Sequence, residues 1–362
     1  MAPKKVLVAG ASGVVGEAAL RHFAALPGWT AVGVARRPPA DLASSCIAVD
    51  LADPDACRAV FSSTSMADVT HVVYAALYEK PGLIQGWYEA DQMERNLLML
   101  RNLFEPLSSV ARGLEHVSLL QGTKAYGAHV GAVVQPGRER SPRHPHENFY
   151  WLQEDYLRSM RSDAPWALTI LRPQVVFGEA LGSNMNAIPA LGVYAALRRA
   201  AGEPLHLPGP GTFVTEAVDA SLLARALAWA ASTPAAWDET FNVTNGDVFT
   251  LAGVWPALAA AFGMEVGDVL SPPVSLAVTM PPREAEWASI VDRHGLAAPA
   301  SFDRFVGQGF VYADVFLQAV GPPTLVSTIK IRQAGFGDCI DTEEMFVRLI
   351  RRFQARRLLP PP

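Results

Sequence analysis

Short aliphatic runs alternate with amphipathic stretches through the first half of the chain. Lys4–Ala9 is the first run, dense in aliphatic residues as a strand covered on both faces would be. Similar runs follow at Thr30–Ala35, Cys46–Asp50, Val69–Ala76, Leu114–Leu120 and Trp166–Pro173. Helical spacing lies between them, clearest at Asn96–Phe104 and from Asn148 through Leu157. This order predicts an α/β fold, a doubly wound parallel Rossmann sheet. Beyond Gly178 the alternation fades. Helical stretches at 187–201 and 217–231, a short strand and turn at Phe241–Phe249, and helices interrupted by paired prolines predict a smaller, mostly helical C-terminal lobe. The division expected is 1–178 and 179–362, with later segments free to return to the first domain. The basic residues from Arg351 to Arg357 read as the polar face of a last helix.

Between the first run and its helix stand Gly10, Gly13 and Gly16. Strand, glycine turn and helix form the context in which such glycines hold a dinucleotide. Gly10 permits the turn, Gly13 admits a pyrophosphate to the backbone, and Gly16 lets the helix pack on its strand. Free N–H groups and the helix dipole then face the phosphates. The first gap is one residue wider than in the commonest fingerprint. At the end of the second run, where an acid would accept from a ribose hydroxyl, stand Arg36 and Arg37. Guanidinium groups there suit a 2′-phosphate and favour NADP(H). Asp50 and Leu51 would lie beside the adenine, Asp50 alternatively capping the next helix, and Ala76 would let the cofactor lie close.

The composition adds mainly exclusions. Half of the residues are hydrophobic, 18% are charged and the net charge is −5, an ordinary globular balance with no basic field for nucleic acid. Cys46, Cys57 and Cys339 form neither a disulfide framework nor a metal pattern. No apolar run is long enough to cross a bilayer. The first strand leaves no room for a signal peptide, so a cytoplasmic protein is expected. His144 and His146, in a Pro- and Arg-rich loop over 128–147, are expected to be solvent-exposed rather than metal ligands. That loop either covers the site or is a surface excursion.

A metal-free nicotinamide enzyme needs a donor facing the carbonyl that gains charge. Short-chain reductases usually supply a tyrosine with a lysine four residues on. No tyrosine here has that lysine; Tyr150 has Glu154. The chain nevertheless resembles, over nearly its whole length, the progesterone 5β-reductase and iridoid synthase family, an atypical branch of the extended short-chain reductases. The carriers are GASGVVG at 10–16, VARR at 34–37, DVTHVVY at 68–74, GTKAY at 122–126 and NFYWLQED at 148–155. Arg172–Gly178, FNVTNGDVF at 241–249 and WASIV at 287–291 with Gly295 and Leu296 match as well.

The resemblance implies that Tyr150 is the catalytic tyrosine and that Lys124, from the preceding loop, supplies the ammonium. It implies cofactor contacts at Ser12, Gly13, Val14, Arg36, Arg37, Asp50, Leu51, Val176, Ser183, Asn184 and Met185. The implied reaction is NADPH-dependent 1,4-reduction of an enone or enal, steroid-like or small, with hydride delivered to the β-carbon and the enolate stabilised by Tyr150 and Lys124. Alternatives are a carbonyl reductase, a sugar-nucleotide epimerase, or a non-catalytic NADP(H)-binding regulator. No metal, nucleic-acid or membrane partner is expected; a homodimer is left open. The family often has a second tyrosine where Trp151 stands and Thr-Trp where Ala76 and Leu77 stand, which should reshape the pocket.

Overall fold

The computed structural model describes residues 3–161 and 164–362. It resolves into two compact units. The first takes the chain through Gln174, then Ala220–Val243 and Val326–Asp338; the second takes Val175–Asp219, Thr244–Leu325 and Cys339–Pro362.

The chain opens with β1 (Lys4–Ala9), α1 (Val14–Ala25), β2 (Trp29–Ala35), β3 (Cys46–Ala48) and α2 (Pro54–Phe61). It continues with β4 (His71–Tyr74), α3 (Ala90–Val110), β5 (His116–Leu120), α4 (Phe149–Arg161) and β6 (Ala167–Pro173). The second unit begins with β7 (Val175–Phe177), α5 (Ala187–Ala200), β8 (Leu205–Leu207) and β9 (Ala217–Asp219). Then α6 (Ala220–Ser232) and β10 (Thr240–Val243) return to the first. The remainder holds α7 (Leu251–Ala261), β11 (Val266–Val269), α8 (Leu276–Thr279), α9 (Glu284–His294), α10 (Phe302–Phe305), α11 (Gly309–Gln318), α12 (Ile329–Gln333) and α13 (Thr342–Ala355).

The first unit is a seven-stranded sheet in the order β10-β6-β5-β4-β1-β2-β3, with every pairing parallel. Its strands are apolar runs because helices cover both faces. α1 packs with α6, and α3 packs with both α2 and α4. Leu7, Val72, Tyr74, Val117 and Ile170 meet Leu100, Leu103 and Phe104 of α3 in the core. Strand order reverses between β1 and β4, so the crevice outside their carboxyl ends is the place where such sheets take ligands.

The second unit is mostly helical. Its core packs Ile188, Leu191 and Tyr194 of α5 with Trp287, Phe305, Phe346 and Phe353. It also holds two small parallel pairs, β7 with β9 and β8 with β11. The helix expected over 217–231 is therefore corrected. Ala217–Asp219 pairs with Val175–Phe177, and the Asp219 N–H donates to Asn245 Oδ1 at 2.7 Å, so the helix begins only at Ala220.

Candidate functional site

The glycine turn has the geometry its residues demand. Gly10 has φ +86°, and a Cβ there would lie 2.7 Å from the backbone of Ala75 and Ala76, just past β4. A Cβ on Gly16 would stand 2.1 Å from the Gly10 carbonyl oxygen, so only glycine lets α1 seat on the turn. Gly13 is the N-cap of α1 and, having no side chain, makes no capping bond to its first turn. The N–H groups there are left for a ligand, at the positive end of the dipole. Ser12 is half-buried and Val14 is buried beside them. Arg36 and Arg37 follow β2 directly, both exposed, and no acid pairs with either among the described residues. Asp50 Oδ1 accepts from the Ala52 N–H at 3.0 Å and so closes its own turn. The cap of α2 is Asp53, whose Oδ1 accepts from Asp55 N and Ala56 N. The Leu51 side chain is in the core, 5% exposed, while its carbonyl accepts from Asn102.

A second group of side chains gathers past the carboxyl end of β5. A 3-10 turn over Thr123–Tyr126 carries Lys124, and the first turn of α4 carries Tyr150. The Lys124 ammonium lies 4.2 Å from the Trp87 ring centre, 5.7 Å from Phe149 and 5.9 Å from Tyr150. Among the described residues nothing accepts a hydrogen bond from it. Glu79 Oε1 is 3.7 Å away, within ion-pair reach and beyond a hydrogen bond. Gly122 leaves room for the phenol: a Cβ there would come within 3.1 Å of the Tyr150 hydroxyl. The structure thus brings Lys124 and Tyr150 into one aromatic-lined cluster, with Met93, Ala125, Phe149, Trp151 and Leu77 around it.

Sequence reasoning missed Glu79. Its side chain is 2% exposed. Oε2 accepts from Gln92 Nε2 at 2.7 Å and from Trp87 Nε1 at 3.1 Å, which leaves Oε1 toward Lys124. Gln92 and Asn96, on the buried side of α3, hold this segment. Asn96 accepts from the Tyr78 N–H and donates to the Tyr78 carbonyl, and Gln92 Oε1 accepts from the Lys80 N–H. A carboxylate two residues past an Ala-Leu strand exit was the only sequence signal. Burial pushes the Glu79 carboxyl up, opposed by Lys124. Burial pulls the Lys124 ammonium down, opposed by Glu79. Each charge is held in an apolar place chiefly by the other.

Glu154, four residues after Tyr150, turns away. Its Oε2 accepts from Gln121 Nε2 at 2.9 Å and its Oε1 from Arg158 Nε at 2.9 Å, with Arg143 beside it. Gln121 Oε1 accepts from Arg172, and the Tyr126 hydroxyl donates to Asn242 Oδ1 at 2.6 Å. This buried network fixes the floor beneath Tyr150. The exposure expected of His144 and His146 is corrected: both are half-buried, and they bond to each other.

Comparison with known proteins narrows the identity. Residues 6–244 match the NAD dependent epimerase/dehydratase family. The chain belongs to this family. It is 32% identical to the (S)-8-oxocitronellyl enol synthase of Antirrhinum majus, over 98% of this chain and 92% of that protein. It is equally 32% identical to the 3-oxo-Delta(4,5)-steroid 5-beta-reductase of Arabidopsis thaliana, with the same coverage. Within the epimerase/dehydratase family it thus falls in the branch resembling progesterone 5β-reductase and iridoid synthase. The fold agrees with that of Thermotoga maritima UDP-glucose 4-epimerase, at TM-score 0.68 and 18% identity over 97% of this chain and 99% of that one. The chain is a nicotinamide-dependent oxidoreductase. The glycine cradle and the uncapped start of α1 fit such a cofactor. Of the remaining residues expected to touch it, Ala76 follows β4, half-buried. Val176 is in β7 of the second unit, and Ser183, Asn184 and Met185 precede α5 there. Their loop is held by Asn186, which is fully buried, donates to the carbonyls of Gly178 and Ala180, and caps α5. No helix among the described residues is long and apolar enough to cross a membrane.

Proposed function

We propose that this chain is an NADPH-dependent reductase of the activated C=C bond of enones or enals. One observation carries the reading. Tyr150 and Lys124, from separate elements, meet in an aromatic-lined cluster at the carboxyl edge of the sheet, and Lys124 there has no hydrogen-bond acceptor among the described residues. The names of the relatives support it, since one acts on a 3-oxo-Delta(4,5)-steroid. When bound, the cofactor supplies a hydride to the β-carbon of the substrate. The Tyr150 hydroxyl donates to the substrate carbonyl oxygen, where negative charge gathers. The Lys124 ammonium strengthens that donor, and Glu79 keeps Lys124 charged. Leu77, Phe149 and Trp151 exclude water, which strengthens each of these interactions. The α-carbon proton comes from solvent or from Tyr150.

Gly10, Gly13 and Gly16 with Ser12 and Val14 hold the pyrophosphate, Arg36 and Arg37 the 2′-phosphate, and Asp50, Leu51 and Ala76 the adenosine side. Val176, Ser183, Asn184 and Met185 are the further cofactor contacts that the family resemblance implies. The test is to mix protein, NADPH and cyclohexenone, follow the nicotinamide absorbance and identify the product. Saturated ketone is expected. Allylic alcohol would make it a carbonyl reductase, and tight NADPH binding with no turnover of any enone or enal would make it a regulator. Equal turnover with NADH would remove Arg36 and Arg37 from their role.

A further inference from the structure

The residue that joins the two halves of the candidate pair is Asn148. Its Oδ1 accepts from the Tyr150 N–H at 3.0 Å. Its Nδ2 donates to the Lys124 carbonyl at 3.3 Å. A backbone N–H only donates and a backbone carbonyl only accepts, so the amide is oriented twice over. Nδ2 then faces His146 Nε2 at 3.1 Å. Two N–H groups cannot point at each other, so His146 Nε2 accepts and carries no proton. A neutral His146 holds its proton on Nδ1, which lies 2.8 Å from His144 Nδ1. His144 Nδ1 therefore accepts, and the His144 proton is on Nε2. The line of donors runs from Asn148 to His146 to His144, and two neutral rings satisfy it.

The rings are built into their place. Gly127, with φ +79°, closes the turn that carries Lys124, and a Cβ there would strike His144 Cδ2 at 2.6 Å. The His129 ring stacks edge-on to His146 with centres 4.9 Å apart, and Tyr88 lies against His129. Trp151 stands on the other side, 6.3 Å from His146, with the Arg143 guanidinium over it. The charged and titratable groups nearest His146 are thus His144, His129, Lys124 and Arg143, and Tyr88 through His129; the nearby acids are engaged by the cations, Glu154 and Asp155 by Arg143 and Glu79 by Lys124. Burial and the neighbouring His144 hold His146 below the usual histidine range.

We propose that His144 and His146 are positioning residues: as a neutral pair they hold the Asn148 amide, and through it set Lys124 against Tyr150. This rests on reading Lys124 and Tyr150 as the reacting pair. Protonating His146 would aim an N–H at Asn148 Nδ2. That event releases the amide, so turnover should fall as pH drops through the titration of His146, below the ordinary histidine range.

The full-length protein labelled with ¹⁵N at histidine tests this by NMR above neutral pH. The expected spectrum shows His146 protonated on Nδ1 and His144 on Nε2; protonation of His146 on Nε2, or a charged ring, overturns the proposal. His146→Leu should lower kcat for enone reduction about tenfold, the worth of about one buried hydrogen bond, with KM for NADPH unchanged. His146→Gln places an amide oxygen near the former Nε2. It should restore most of kcat and flatten the acid limb of the pH profile. Wild-type kcat in the Leu variant overturns the positioning role. If no enone is turned over at all, the functional reading fails, but the Tyr150 backbone amide shift still decides: it should move in the Leu variant and stay in the Gln variant. A Leu variant that does not fold leaves the tautomers and the Gln profile to decide.

Discussion

At the residue scale the site is a contest between burial and charge. Lys124 sits among aromatic rings with one carboxylate 3.7 Å away and, among the described residues, no hydrogen-bond acceptor. Desolvation favours its neutral form, and Glu79 opposes that. Glu79→Gln keeps the bonds to Gln92 and Trp87 within reach but removes the charge. The Lys124 ammonium should then lose its proton at lower pH, so the alkaline limb of kcat/KM should move to lower pH; an unmoved limb would separate Glu79 from Lys124 function. Tyr150→Phe removes one donor at the developing enolate and should cost about 10²–10³ in kcat. A fully active variant would take the phenol out of the reaction. Glu79, Trp87 and Gln92 follow no motif and no period, so nothing local announced that they would converge on Lys124.

Element by element, the parts that a period or a backbone constraint specifies were legible. The aliphatic runs became β1, β2, β4, β5 and β6, because strands covered by helices on both faces can carry no polar alternation. The glycines behaved likewise. Gly16→Ala would place a Cβ 2.1 Å from a backbone oxygen, so α1 must lift from the turn. A loss of about 2 kcal/mol or more is expected in denaturant unfolding, with weaker NADPH binding by titration. Wild-type stability and affinity together would refute the close packing. Other boundaries were not legible. β9 is three residues whose pairing partner, β7, lies far back along the chain, and alanine-rich sequence on both sides hides the junction with α6. Likewise α3 begins at Ala90, before the apolar spacing does, because Gln92 and Asn96 turn inward to hold backbone rather than outward to water.

For the molecule as a whole, pH stability should be governed by histidines enclosed in the first unit. His71 is held down to about 4 and His116 to about 3, in both cases chiefly by burial. Thr169 donates to the Ala236 carbonyl, so its hydroxyl oxygen accepts from His116 Nε2, and His116 Nδ1 is left buried with no partner. These folded-state values lie below the unfolded value. Above about pH 6.5 neither state is protonated and stability is unaffected. As pH falls below that, the unfolded chain takes up protons that the folded one refuses, so stability declines until the folded pKa values are reached. The total loss should be on the order of 8 kcal/mol. His116→Gln should shallow the decline in urea midpoints between neutral and acid pH. An equal slope in the variant would assign the acid sensitivity elsewhere.

The amino-acid order by itself determined the parallel sheet, the glycine turn and the likeness to the reductase branch. Each depends on residues near one another along the chain: a run, a gap of fixed length, a short shared motif. Tertiary structure alone decided that Glu79 faces Lys124, that Glu154 serves Gln121 and Arg158, and that His144 and His146 are packed beneath Asn148 instead of standing in solvent. A hydrogen bond or ion pair depends on a distance of a few ångströms between atoms that may be separated by any length of chain. Local periodicity carries no record of that distance; only the folded backbone supplies it.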